Sequence, residues 1–245
     1  MDINILKEDL QNPKNPRFLQ SAVNLCLHYN NLGKFLETID VTNKALKNGV
    51  YHNAIIGNRG YAYLKLKKYN LAIKYFKKIL TKNKNDNFTK FNYAVCLKLT
   101  NNNNGYLKLI NETIANDQTF LNSFLDLYEY YRNLNNVTEC LKLINLYDKK
   151  INRTLKNLLQ INLFPIVYKS KEETEKIIDN IDVEIKNSIS ELKLRDCKDL
   201  KVLLNHYLPP TNFYLSYANY KTLEIQKNYS TLLESISNNF DIKKE

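Results

Sequence analysis

The chain has 245 residues, of which 44% are hydrophobic and 25% charged, and its formal net charge is +11. It has only five glycines and five prolines, fewer than strand-and-turn architectures need. No segment is apolar for long enough to span a membrane, and the first ten residues lack the basic start and apolar stretch of a signal peptide. These features predict a cytoplasmic protein built from helices.

The basic charge and the cysteines point to no specific chemistry. Short lysine runs, at residues 65–68 and 82–84, lie at predicted helix ends or turns, which favours a solvated helix surface and leaves an RNA-binding face as an alternative. No histidine stands at metal-ligand spacing from a cysteine, so we predict no metal site, no cofactor and reduced thiols. The four cysteines are Cys26, Cys96, Cys140 and Cys197.

A short helix over residues 3–11, followed by Pro16, opens the chain as a predicted N-terminal cap over residues 1–18. From residue 19 the sequence repeats every 34 residues, with apolar residues at helical spacing and a polar turn in the middle of each copy. Small residues stand where two helices must approach closely. The two columns that contain them are Cys26, Gly60, Ala94 and Tyr128, and Thr38, Ala72, Tyr106 and Cys140.

This period and pattern resemble the tetratricopeptide family, most clearly in the second copy through Gly60, Tyr63, Tyr69, Ala72 and Phe76. The resemblance implies an all-α fold, a tetratricopeptide-type superhelix of about four repeats followed by a C-terminal helical segment. The predicted domains are the cap, the repeats over 19–154 and a helical joint over 155–245. The repeats are copy one (19–52), copy two (53–86), copy three (87–120) and copy four (121–154).

In the tetratricopeptide fold the first helix of each pair faces a concave groove. One column there is polar, and a primary amide can both donate to and accept from a peptide backbone. We therefore expect an extended polypeptide to bind in the groove, with a purely structural role for the asparagines as the alternative. The predicted binding residues are the asparagine column, Asn24, Asn58, Asn92 and Asp126, together with Tyr61, Phe91, Val95 and Glu129.

After residue 154 the period is no longer visible. A capping box at residues 170–173 predicts a helix with an apolar face, and two further helices are predicted at 196–208 and about 220–237. Three tyrosines beside the last helix are either core residues or a docking face: Tyr214, Tyr217 and Tyr220.

The last third also resembles the joint of bacterial SPINDLY-like proteins, which are related to O-linked N-acetylglucosamine transferases. The matching residues are Pro165, Tyr168, Ser170, Glu172 and Glu173, then Phe213, Tyr214, Leu215, Tyr217, Leu223, Glu224 and Gln226. The resemblance implies that this chain is the substrate-recognition part of a protein O-glycosyltransferase, with the catalytic half absent or on a separate chain.

No glycine follows Gly105, so we expect no phosphate-binding loop in the last third and assign no catalytic residue. The function predicted first is a non-enzymatic scaffold that binds a protein or peptide. The glycosyltransferase-associated role and the basic RNA-binding repeat remain the two alternatives.

Overall fold

The computed structural model describes residues 2–151, 153–161, 163, 170–192 and 222–239 of the chain. The chain forms two compact units, residues 1–127 and residues 128–245. Throughout the described residues the regular structure is helical. The expectation of an all-α fold is therefore confirmed for the part of the chain that the structure describes.

The first unit consists of one short helix and then helix pairs. In copies one to three the first helix packs on the second helix of its own copy, and the first helices α2, α4 and α6 also contact one another in sequence; α4, for example, contacts α2, α3, α5 and α6. The cap helix α1 packs on α2. The helices are α1 (Ile3–Asp9), α2 (Phe18–Asn31), α3 (Phe35–Lys47), α4 (Asn53–Lys65), α5 (Tyr69–Leu80), α6 (Asn87–Leu99), α7 (Asn103–Ile114) and the start of α8 (Phe120–Asn133).

The turns inside the helix pairs share one backbone conformation. In each turn the residue with positive φ stands at the same place in the 34-residue period. A left-handed residue reverses the chain direction in a few residues and suits glycine or asparagine best. The four residues are Gly33 (φ 70°), Lys67 (59°), Asn101 (59°) and Asn135 (54°).

Small residues let the two helices of a pair approach, and the need is most acute at Gly60. A Cβ atom at Gly60 would stand 2.6 Å from Cε1 of Phe76, a ring that is fully buried. Copies three and four hold tyrosine in one small-residue column, and in both the facing position stays small. In copy three the two positions hold Ala94 and Tyr106, and in copy four they hold Tyr128 and Cys140. All four residues are buried.

In its described residues the second unit contains the end of α8 and the helices α9 (Val137–Leu146), α10 (Arg153–Ile161), α11 (Lys171–Leu192) and α12 (Thr222–Asn239). Helix α10 was not expected from the sequence. It begins where a fifth first helix would begin, 33 residues after α8, and buries Leu155, Leu158 and Leu159. Its nine residues are too few for the 34-residue columns to show in the sequence.

Helix α11 begins directly after Ser170, as the capping box predicts, and packs against α10 and α12. A buried carboxylate joins the last two helices, because Asp182 accepts a hydrogen bond from Nδ2 of Asn228 at 2.7 Å. The helix predicted at 196–208 lies outside the described residues. So do six of the twelve residues that carry the SPINDLY-like resemblance. The domain boundaries at 18 and 154 also stay predictions.

Candidate functional site

Two of the four residues in the asparagine column take part in junctions between copies. At the junction of copies one and two, Asn58 accepts a hydrogen bond from Nδ2 of Asn30 at 3.0 Å and donates to the Ala54 carbonyl at 2.8 Å. Thr38 Oγ1 in turn donates to Oδ1 of Asn30 at 2.9 Å. The amide of Asn58 therefore links α2 to α4.

The junction of copies three and four uses the same positions with charged chemistry. Asp126 accepts from Lys98 Nζ at 2.7 Å with one carboxylate oxygen and from the Tyr106 hydroxyl at 2.8 Å with the other. Lys98, Tyr106 and Asp126 stand 68 residues after Asn30, Thr38 and Asn58. Because the Tyr106 side chain is fully buried, Asp126 is the group that satisfies its hydroxyl at this junction.

Among the described residues, the same positions at the junction of copies two and three form no such network. The positions equivalent to Asn30 and Thr38 hold Leu64 and Ala72, which are buried in an apolar cluster with Phe76 and Cys96. Asn92 donates to the Phe88 carbonyl of its own helix at 2.9 Å. Its Oδ1 accepts no hydrogen bond from any residue in the described ranges. Asn92 is thus the column member with an unused acceptor at a half-buried position.

Helix α6 surrounds Asn92 with apolar side chains. Phe88, Asn92, Val95 and Leu99 follow one another at spacings of four, three and four residues, which places them on one face of the helix. Phe88 is 55% exposed and Leu99 is 44% exposed. These two residues are not among those predicted from the sequence. Their helical spacing from Asn92 was the signal that could have found them.

The remaining predicted groove residues are distributed over both units. Tyr61 is half-buried, with its ring against Phe35 and 5.3 Å from Lys65 Nζ, and Val95 packs on the cluster of the second junction. Asn24 accepts a hydrogen bond from Gln20 on its own helix. Phe91 is half-buried in the first unit and Glu129 is half-buried in the second. The predicted docking face, Tyr214, Tyr217 and Tyr220, lies outside the described residues.

Candidate nucleophiles and metal ligands are sparse in the described residues. Burial raises the pKa of the Cys26, Cys96 and Cys140 thiols to about 12, so all three are protonated at neutral pH. No group of three or more His, Cys, Asp or Glu side chains there could hold a metal ion. None of the described helices has the length and hydropathy that a membrane span needs.

The second unit contains a pocket of about 750 Å³ between the start of α9, the end of α10 and α11. Its walls mix amides with aliphatic side chains, and one carboxylate, Glu184, lines it.

Comparisons with known proteins support the repeat architecture. The family model described as tetratricopeptide repeat matches residues 55–86, which is nearly all of copy two. No curated protein matches the chain. The crystal structure of a tetratricopeptide repeat protein from Parabacteroides merdae is 14% identical, with a TM-score of 0.52 over 94% of this chain and 78% of that chain.

Two further solved structures are similar over most of this chain at lower TM-scores. A TPR repeats protein from Bacteroides fragilis is 12% identical over 98% of this chain and 92% of that one, with a TM-score of 0.33. The structure of Naa15/Naa10 bound to HypK-THB is 17% identical over 98% of this chain and 38% of that one, with a TM-score of 0.37. The expected all-α fold of tetratricopeptide type is confirmed, an architecture that serves as a scaffold for binding other proteins.

Proposed function

We propose that the chain binds an extended segment of another protein along the exposed face of α6, centred on Asn92. The observation that carries the proposal is the unused Oδ1 of Asn92 between exposed Phe88 and Leu99. The amide can accept a backbone N–H of the bound segment, and its second N–H can donate to a backbone carbonyl. The flanking apolar side chains would bury side chains of the segment on either side.

The other column members have a lesser part in this proposal because their polar atoms are already used. Removing Asn58 or Asp126 would break a junction between copies as well as a binding contact. Asn92 has only a local bond to Phe88, so it can be changed with little cost to folding. This makes Asn92 the residue at which binding and stability can be separated.

The experiment measures binding of the purified chain to a library of short unstructured peptides, beside Asn92→Ala. The loss of one or two backbone hydrogen bonds predicts affinity weaker by about five- to tenfold. Asn111→Ala is the matched control, since Asn111 makes the same bond to the carbonyl four residues earlier, at 2.8 Å, on the neighbouring helix α7. If Asn92→Ala binds the selected peptides as the wild type does, the proposal is wrong.

The apolar part of the site is tested separately. Phe88→Ala and Leu99→Ala each remove a side chain that is about half exposed, so they should weaken peptide binding while leaving the unfolding free energy nearly unchanged. A role as the substrate-recognition part of a glycosyltransferase would make the bound segment an enzyme's substrate. That role depends on the SPINDLY-like resemblance and stays a prediction, as does a separate catalytic chain as partner.

A further inference from the structure

The net positive charge of the chain is concentrated in one stretch. Residues 41–85 contain eleven lysine or arginine residues and no aspartate or glutamate. The chain has 36 basic residues in all, so 25 remain outside this stretch, the same number as the acidic residues there. Elsewhere the charges balance, and the net charge of +11 belongs to the end of copy one and to copy two.

Helix α5 presents part of this charge as a single face. Lys74, Lys77 and Lys78 are exposed and lie opposite the buried side of the helix, which is formed by Ala72, Phe76 and Ile79. We call these three lysines the α5 lysine face. Within the described residues none of the three forms an ion pair with a carboxylate.

The same face of the other second helices is neutral. On α3 the exposed acidic residues Glu37 and Asp40 balance the half-buried Lys44 and the exposed Lys47. On α7 Glu112 pairs with Lys90 at 2.9 Å, and on α9 Glu139 pairs with Lys142 at 2.7 Å. The α5 lysine face is therefore a feature of copy two and not a consequence of the repeat.

Exposed apolar groups border the lysines. Leu71 is 42% exposed and stands one turn before Lys74. At the other end Tyr51 is 60% exposed, and Lys78 Nζ lies 5.3 Å from the centre of its ring. Lys77 Nζ lies 5.9 Å from the ring of Tyr93 on α6. Cations supported by aromatic rings, with an apolar group at each end, form a surface that can contact both carboxylates and hydrocarbon.

We propose that the α5 lysine face docks an acidic segment of a partner protein that carries an apolar residue at each end of its acidic run. Lysines one turn apart on a helix repel each other, and a run of carboxylates would neutralise their charges. Helix α5 has 12 residues and is about 18 Å long, which an extended segment of about six residues would cover.

A protein segment suits this face better than a nucleic acid. The face has no arginine, the residue whose planar fork recognises phosphate bidentately. The one arginine of copy two, Arg59, instead donates to Thr42, Asn43 and Tyr63 within the fold. Lysine recognises carboxylates as a simple point charge, and Leu71 and Tyr51 supply the apolar contacts that a phosphate backbone would not use.

The test uses the full chain and a fluorescent peptide of about four glutamates with a leucine at each end, the length that covers α5. Binding is compared with the same peptide carrying glutamine, and with a single-stranded oligonucleotide of similar length. We expect the glutamate peptide to bind more tightly than both, with an affinity that falls as salt rises from about 50 to 500 mM. Tighter binding of the oligonucleotide, or equal binding of the glutamine peptide, would overturn the proposal.

Three variants separate the α5 lysine face from bulk charge. Lys74→Gln, Lys77→Gln and Lys78→Gln together should weaken peptide binding by about tenfold, whereas replacing the same lysines with arginine should preserve it. Removing equal charge at the exposed Lys7, Lys108 and Lys149 should change the affinity by less than about threefold. An equal loss of affinity in the two charge-removing variants would mean that only net charge matters, and would overturn the proposal. Asn92→Ala should leave this binding unchanged, so the outcome is independent of the site on α6.

Discussion

The junction between copies three and four differs from the junction between copies two and three in chemistry, although both are built from the same three positions. Between copies three and four, Asp126 joins Lys98 to the buried Tyr106 hydroxyl. Between copies two and three, Leu64 and Ala72 lie in an apolar cluster, and Asn92 bonds only to its own helix. A column of similar polar residues thus contains one that holds the structure together and one that is available to a ligand. The residues that face each column member decide whether it stabilises the fold or is available to a ligand.

The largest expected effect separates these two members by stability. Asp126→Ala removes the charged acceptor of the buried Tyr106 hydroxyl and the carboxylate that pairs with Lys98. We expect the free energy of unfolding to fall by about 2–3 kcal/mol, because one substitution removes two charge-assisted hydrogen bonds from partly buried groups. Asn92→Ala should change it by less than about 0.5 kcal/mol. Urea unfolding of the two variants measures the difference.

A second change shows whether the lost bond to the Tyr106 hydroxyl is the cause. Tyr106→Phe removes the group that Asp126 satisfies, so the double variant Asp126→Ala/Tyr106→Phe should be more stable than Asp126→Ala alone. If the two changes simply add, the carboxylate acts through Lys98 or through the helix, and the Tyr106 bond is not what distinguishes the junctions.

Phe76 of the apolar cluster also packs closely on Gly60 within copy two, and a matched glycine pair can test that packing. Gly60→Ala would place its Cβ 2.6 Å from the buried Phe76 ring, and we expect a loss of about 2 kcal/mol from overpacking. Gly57→Ala, one turn earlier on α4, would meet only Ile79 Cδ1 at 3.5 Å. There the better helix propensity of alanine should stabilise the fold by about 0.5–1 kcal/mol.

Thermal unfolding of both variants gives the sign directly. Opposite signs for two identical substitutions on one helix would show that the space beside Phe76, and not helix propensity, sets the requirement for glycine. Two stabilising results would mean that the Phe76 ring moves aside at little cost, and that the apolar junction tolerates more than its packing indicates.

The sequence predicts the helix pairs well because the same pattern of packing positions recurs in all four copies. Gly60, Ala72 and Phe76 are recognisable through their columns, and the capping box locates the start of α11 after Ser170. Helix α10 was missed because a single short element has no second copy to align with.

The site was harder to predict because an alignment of the copies shows which residue stands at a position and not which side chains it contacts in the fold. Asn58 and Asn92 are identical residues at equivalent positions, and only the fold shows that one faces Asn30 and the other an apolar junction. The exposed Phe88 and Leu99 carried a helical-spacing signal that the comparison between copies did not reveal, since neither recurs at its position in the other copies.

The smallest predicted effect concerns the turn that leads into the second helix of copy two. Lys67 has a φ of 59°, a left-handed conformation that its side chain disfavours and that Gly33 supplies at the equivalent position in copy one. Lys67→Gly should therefore raise the free energy of unfolding by about 0.5 kcal/mol, the relief of backbone strain exceeding the added flexibility of the unfolded chain. Lys68→Gly, at a neighbouring residue with φ of −89°, removes the same charge without relieving strain and should destabilise. If both substitutions stabilise, the gain comes from reducing the charge repulsion within residues 41–85, and the turns of copies one and two do not differ in strain.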